Sequence, residues 1–173
     1  TKWRTCGVGT GLGSPGSSVR DRTCVACATG QTYSAEDSAA ACQAVLTCSA
    51  AQLEKRAPHA GANRECAACP EGHACNGSAT ATGCASGWYA AAGVGACSQC
   101  GAGYWAAAQS ASCTACTAGT FSAAGSGSEQ DCTVWRTCPP GQGLKTEGSA
   151  TADRVCASCV AGTSWSGNDN SFA

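Results

Sequence analysis

Large apolar side chains are nearly missing from this sequence. Its 173 residues include no Ile and no Met, and Leu, Val and Phe together number 14. A chain so poor in them cannot wrap a conventional hydrophobic core, and on this count alone it would fall among disordered chains. Charge of one sign is lacking as well. Ten basic and 11 acidic residues are scattered along the chain for a net charge of -1, which excludes a basic stripe for nucleic acid and a polybasic patch for anionic lipid. No apolar run approaches the roughly 18 residues of a membrane span, so no direct membrane insertion is expected of this segment. Nothing has the charged start and apolar middle of a signal peptide, and the chain reads as a mature or excised stretch of something longer.

What the sequence has instead is 17 Cys, 23 Gly and 36 Ala. Ordering a residue costs roughly 1.5 kcal/mol of conformational entropy, so a chain with so little to bury must be held by covalent or metal cross-links. An oxidising compartment, extracellular or at the cell surface, is the natural home for such a chain.

The cysteines repeat. Cys6, Cys24 and Cys27 share their spacing with Cys48, Cys66 and Cys69 and with Cys138, Cys156 and Cys159: 17 residues, then two. Whole phrases return with them. Trp3-Arg4-Thr5-Cys6 reappears as Trp135-Arg136-Thr137-Cys138, and Asp21-Arg22-Thr23-Cys24 as Asp153-Arg154-Val155-Cys156. Between these lies a shorter unit of period 16, opened by Cys84, Cys100 and Cys116 and continuing as Gly87-Trp88-Tyr89, Gly103-Tyr104-Trp105 and Gly119-Thr120-Phe121. Such periods mark repeat architectures. A Gly three residues after Cys recurs throughout, with Ala51 the exception after Cys48, and predicts a turn needing positive φ or close backbone approach. The aromatics are expected to lie over the adjacent cross-links as small apolar plugs. No window shows helical periodicity. The expected fold is small, disulfide-rich and mostly irregular, with short β-ribbons, elongated tandem cysteine-rich modules and little helix, confined to Ser49–Arg56 if present.

At the level of these spacings the long unit resembles the cysteine-rich modules of tumour necrosis factor receptor ectodomains. The short unit is similar to ephrin-receptor-like cysteine-rich repeats of extracellular proteins. The resemblance implies ladder-like ectodomains in which each module contacts chiefly its neighbours. The chain lacks the usual three-disulfide module of the receptors, so the likeness identifies an architecture and no ligand. The modules divide as 1-42, 43-83, 84-132 for the short repeats, and 133-173 for a copy resembling the first and cut short at its end.

Sequence alone does not fix the connectivity of 17 cysteines. If homologous loops close alike, the local solution pairs Cys6 with Cys24, Cys27 with Cys42, Cys48 with Cys66, Cys69 with Cys75, Cys84 with Cys97, Cys100 with Cys113, Cys116 with Cys132, and Cys138 with Cys156. Cys69 is the weakest assignment, because the Cys27 precedent would send it to Cys84 and strand the Cys84–Cys97 loop. Cys159 is left over. Its counterparts Cys27 and Cys116 find partners 15 and 16 residues on, which points to a polypeptide that continues past Ala173, or else to a free or intermolecular thiol.

Chemistry beyond cross-linking is sparse. Cys97, Cys100, Cys113 and Cys116 have a spacing that signals zinc in a cytosolic protein, but here the period of 16 already accounts for it. No metal and no cofactor are expected. His59 and His73 are isolated, and neither a nucleophile elbow nor a phosphate-cradling loop occurs, so no enzyme is indicated. The Asp-Arg pairs read chiefly as turn fasteners. Arg4 beside Trp3 and Arg136 beside Trp135 are candidate cation-π pairs. Trp3, Trp88, Tyr89, Tyr104, Trp105 and Trp135 are candidate contact aromatics, set against packing on the disulfide ladder. Asn76-Gly77-Ser78 is an N-glycosylation acceptor in a loop. The favoured function is a structural or adhesive element of a surface or filamentous assembly. The alternative is the ligand-binding ectodomain of a cell-surface receptor. Candidate partners are other protein chains, copies of itself included, and glycans.

Overall fold

The computed structural model describes residues 2–163. Among them there is no α-helix, and a single 3-10 turn, Glu129–Asp131, is the whole helical content. Sixteen short strands pair two by two. They are β1 (Thr10–Ser14) with β2 (Thr23–Ala26), β3 (Thr32–Tyr33) with β4 (Gln43–Ala44), β5 (Gln52–Arg56) with β6 (Glu65–Ala68), and β7 (His73–Ala74) with β8 (Thr82–Gly83). The series continues with β9 (Trp88–Tyr89) and β10 (Ser98–Gln99), β11 (Tyr104–Trp105) and β12 (Thr114–Ala115), β13 (Thr120–Phe121) and β14 (Thr133–Val134), and β15 (Gln142–Thr146) and β16 (Val155–Ser158). A two-stranded ribbon is at best marginally stable in water. Covalent closure is what holds these.

Eight disulfides supply it: Cys6–Cys24, Cys27–Cys42, Cys48–Cys66, Cys69–Cys75, Cys84–Cys97, Cys100–Cys113, Cys116–Cys132 and Cys138–Cys156. Each closes a loop of 6 to 18 residues, and in the chain-entropy model loops of this size contribute about 3 kcal/mol apiece. Cys159, half-buried, is the one cysteine without a disulfide. The expected continuation past Ala173 lies outside the described residues.

The chain forms two compact units. One comprises residues 2–69, 75–82 and 93–95, the other 70–74, 83–92 and 96–163. Within the first, β1/β2 and β5/β6 are copies of one hairpin, and β15/β16 in the second is a third. All three carry a bulge at the equivalent place, Leu12/Ser14, Glu54/Arg56 and Leu144/Thr146. The tips match too, with bridges Ser17–Arg20, His59–Ala62 and Ser149–Ala152.

Ser49–Arg56 is not helical. Its Leu, Glu, Lys and Arg favour helix, but closure by Cys48–Cys66 sets them opposite Glu65–Ala68, and the ladder overrides propensity. What remains of a helical turn is one bond, Gln52 N donating to Ser49 O at 3.0 Å.

The glycine three residues past each opening cysteine occupies left-handed backbone: Gly9, Gly30, Gly72, Gly87, Gly103, Gly119, Gly141 and Gly162 have φ between 69° and 87°. Bonds such as Trp88 N to Ala85 O and Thr120 N to Thr117 O place that glycine third in a type II turn, the position requiring positive φ. Close approach adds to this. In the second unit a Cβ on Gly87 would overlap the Gly125 carbonyl, and one on Gly72 the Gln109 carbonyl.

These approaches exist because successive repeats share main-chain hydrogen bonds. Gly87 N donates to Ala106 O at 2.7 Å, Ala106 N to Ser126 O at 3.1 Å, and Gly103 N to Ser122 O at 3.1 Å. The first unit has the same device, with Gly9 N donating to Ser34 O at 2.9 Å and Ser34 N to Ala60 O at 2.8 Å. Strands this close leave room for a methyl or a hydroxymethyl and nothing larger. Ala90, Ala106 and Ser122, one per short repeat, are accordingly 2%, 1% and 2% exposed, and with the cysteines they are the core. Not every aromatic is the plug expected from sequence: Trp88 is 39% and Tyr104 47% exposed, while Tyr89, Trp105 and Phe121 are half-buried.

Three single substitutions separate the causes. Gly87→Ala meets both positive φ and a carbonyl, and is expected to cost on the order of 2 kcal/mol or more and to scramble oxidative refolding. Gly119→Ala, with open space around it, carries the φ cost of about 1 kcal/mol alone. Gly101→Ala meets neither and is expected to be neutral. Refolding yield and denaturation of each variant check the order. Thiol counting is expected to find one reactive group before reduction and 17 after.

Candidate protein-recognition surface

The repeated phrases interlock across each hairpin's mouth. Cys6–Cys24 brings Trp3-Arg4, just before one cysteine, beside Asp21-Arg22, just before the other. Asp21 Oδ1 accepts from Arg4 N at 3.1 Å and from Arg22 N at 2.8 Å, while its Oδ2 lies 3.5 Å from Arg4 Nε. The 132-residue copy repeats this more tightly. Asp153 Oδ1 accepts from Arg136 N at 2.8 Å and Arg154 N at 2.7 Å, and Oδ2 from Arg136 Nε at 2.7 Å. In the middle copy Asn63 Oδ1 accepts from Leu46 N and Arg64 N, both at 2.8 Å. Asx side chains suit this task because they mimic a backbone turn.

The cation-π partners are not the neighbouring arginines. Arg22 lies over Trp3 at 4.6 Å from the ring centroid and Arg154 over Trp135 at 5.2 Å, because Arg4 and Arg136 are taken up by the aspartates. Trp135 is held further by its Nε1, which donates to Ser149 O at 3.0 Å, and by Gly148, where a Cβ would sit 2.5 Å from the ring. The middle copy has Val45 in the tryptophan's place, and there Arg64 Nε pairs with Glu54 at 2.6 Å.

The candidate contact aromatics therefore divide. Trp3, 50% exposed, and Trp135, half-buried, each lie under an arginine. Tyr89 and Trp105 are half-buried on β9 and β11, each bridging to a downstream serine through its backbone, Ser110 and Ser126. Trp88 and Tyr104, at matching places on those strands, are exposed, as Trp3 is. Sequence reasoning missed the roles of Arg22 and Arg154. The signal was present in the phrases, Trp three places before one bridged cysteine and Arg two places before the other. Asn76 is exposed, its Oδ1 accepting from Ser78 N at 3.1 Å in an Asx turn. Groups of three or more metal-ligating side chains are absent among the described residues.

The electrostatics of the clasps follow from their geometry. The Arg4 and Arg22 backbone N–H groups, with the two guanidinium charges behind them, hold the Asp21 carboxyl below its ordinary value of 3.8. Asp153 is lowered likewise, chiefly by the Arg136 side chain, then by the Arg136 and Arg154 N–H groups.

A disulfide ladder over small residues, with its larger side chains half-buried or exposed, is the make of an extracellular repeat region. Residues 116–156, from the Cys116–Cys132 loop through the Cys138–Cys156 hairpin, match the family described as the TNFR/NGFR cysteine-rich region. This stretch thus matches a TNFR-type cysteine-rich region, and the protein is extracellular or secreted. No curated protein matches the sequence. Among solved structures, a chain of the mouse RANKL-OPG complex is 19% identical, with 98% of this chain and 86% of that one covered and a TM-score of 0.34. A chain of the human RANKL/OPG complex is 18% identical, with 90% of each covered and a TM-score of 0.32.

A lowered carboxyl value means that the folded chain favours the charged form. The clasp's contribution is complete above about pH 4 and is lost as pH falls through the folded-state value, below 3.8. The Arg136 amide resonance is expected to titrate there. Asp153→Asn, which imitates Asn63, is expected to keep the backbone bond and abolish the titration.

Proposed function

We propose that this chain is part of a ligand-binding ectodomain and recognises another extracellular protein, with the region 116–156 carrying the principal contact. The match of that region to the TNFR/NGFR cysteine-rich family carries the reading. The surface supports it. Val134 on β14 is 72% exposed and Val155 on β16 is 47% exposed, beside a Trp135 already fixed from within. Exposed apolar side chains on a covalently braced frame lose little entropy on binding, which favours affinity per contact. Several acidic and basic groups are engaged in clasps and ribbon pairs.

The reading as a structural or adhesive filament element has only the repetition of phrases in its favour, and the family match favours recognition over it. The four segments 1-42, 43-83, 84-132 and 133-173 are, in this reading, tandem modules of one binding region. Asn76, exposed and already in its Asx turn, is the proposed N-glycan carrier.

The test is to present the purified full chain to an array of secreted and cell-surface proteins and to measure its mass in solution. The expected result is a monodisperse chain that binds a heterologous protein, with Val134→Asp weakening binding about tenfold or more, roughly 1.4 kcal/mol. Concentration-dependent self-association without any heterologous ligand would instead establish the assembly element. For chain made in a glycosylating host, amidase treatment is expected to remove one glycan mass, and Asn76→Gln to abolish that change.

A further inference from the structure

A second surface lies apart from residues 116–156. Within the unit that holds the short repeats, Tyr89, Gln99, Gly101, Tyr104, Ser112 and Cys113 line a shallow recess of about 340 Å³, near the lower end of the roughly 300–1,000 Å³ typical of small-molecule sites. Its position follows from the 16-residue period. Tyr89 ends β9 of one repeat and Tyr104 begins β11 of the next, and the Cys100–Cys113 bridge forms part of the wall.

Three observations narrow what could sit there. The lining bears no Asp, Glu, Lys, Arg or His, so it has no charge with which to select an ionic ligand. Two phenol rings line it, Tyr89 half-buried and Tyr104 47% exposed. The polar groups around them are also unengaged: among the described residues no hydrogen bond joins the Tyr89 or Tyr104 hydroxyl, the Gln99 amide or the Ser112 hydroxyl to the rest of the chain. Some comparable groups elsewhere are engaged. Tyr33 donates its hydroxyl proton to Gln43 at 3.0 Å, and the hydroxyls of Ser110, Thr120 and Ser126 each donate to a backbone carbonyl three residues earlier.

A ligand matching this lining is neutral, has one apolar face to lay on a ring, and carries several hydroxyls for an amide, a serine and two phenols. We infer that the recess between Tyr89 and Tyr104 binds a neutral pyranose ring, stacked on tyrosine and hydrogen-bonded by Gln99 and Ser112. A protein loop would need a larger or charged complement to gain affinity from so small and neutral a site. The inference does not depend on the protein-recognition reading, and either can fail alone.

Saturation-transfer NMR on the full chain tests it, with methyl β-glucopyranoside, methyl α-mannopyranoside and N-acetylglucosamine as probes and open-chain sorbitol as control. At least one pyranose is expected to receive saturation on its ring protons, and sorbitol none. Tyr104→Ala is expected to weaken that signal about tenfold and Gln99→Ala to weaken it less, since stacking supplies most of the contact. Tyr104→Phe should retain it, and Trp88→Ala, outside the recess, should leave it unchanged. An unaltered amide spectrum away from the recess shows that each variant is folded. Silence from all three sugars, equal transfer to sorbitol, or a signal indifferent to Tyr104→Ala would each overturn the proposal, as would a protein partner lost with Tyr104→Ala while no sugar binds.

Discussion

Everything in this molecule depends on how closely one repeat's backbone approaches the next. Main-chain bonds such as Ala106 N to Ser126 O and Gly87 N to Ala106 O leave space for a methyl group only. The rest follows from that distance. Alanine and serine fill the interior, glycine with positive φ makes the turn at each start, and the larger side chains are half-buried or exposed. A core of that kind buries too little to fold alone. The disulfides hold the loops so that these short contacts can form, and each loop is small enough for closure to be a local event.

The clasps at the hairpin mouths show the same economy at a second level. One carboxylate or carboxamide oxygen takes two backbone N–H groups in all three long copies. Around that constant centre the outer layer varies. Tryptophan under arginine serves the first and third copies and an Arg64–Glu54 ion pair the second. The conserved element of the design is thus a backbone pattern, and the side chains above it have several equivalent solutions.

The disulfide-rich ribbon fold was legible because cysteine and glycine write it directly: their spacing sets loop length and turn position without reference to a hydrophobic pattern. What stayed hidden needed a third dimension. Ala90 and Ala106 are buried, yet nothing in the sequence separates them from the other alanines, since burial here comes from the neighbouring repeat's carbonyls. Residues 49–56 read as the best helix in the chain because Leu53, Glu54, Lys55 and Arg56 favour one, and only the cross-strand partner at Glu65–Ala68 overrules them. Arg22 over Trp3 joins residues 19 apart in sequence, a distance at which no local rule operates. The exposed recess at Tyr104 was half visible, as a row of candidate aromatics.

The small interior also has an evolutionary consequence. In most domains a residue that changes a binding face is tied through the core to stability, so specificity and folding drift together. Here the atoms that hold the chain and the atoms that meet the outside are almost separate sets. Trp88, Tyr104 and Val134 can be exchanged with little cost to the disulfide frame beneath them. Such a scaffold can acquire a new partner one surface residue at a time.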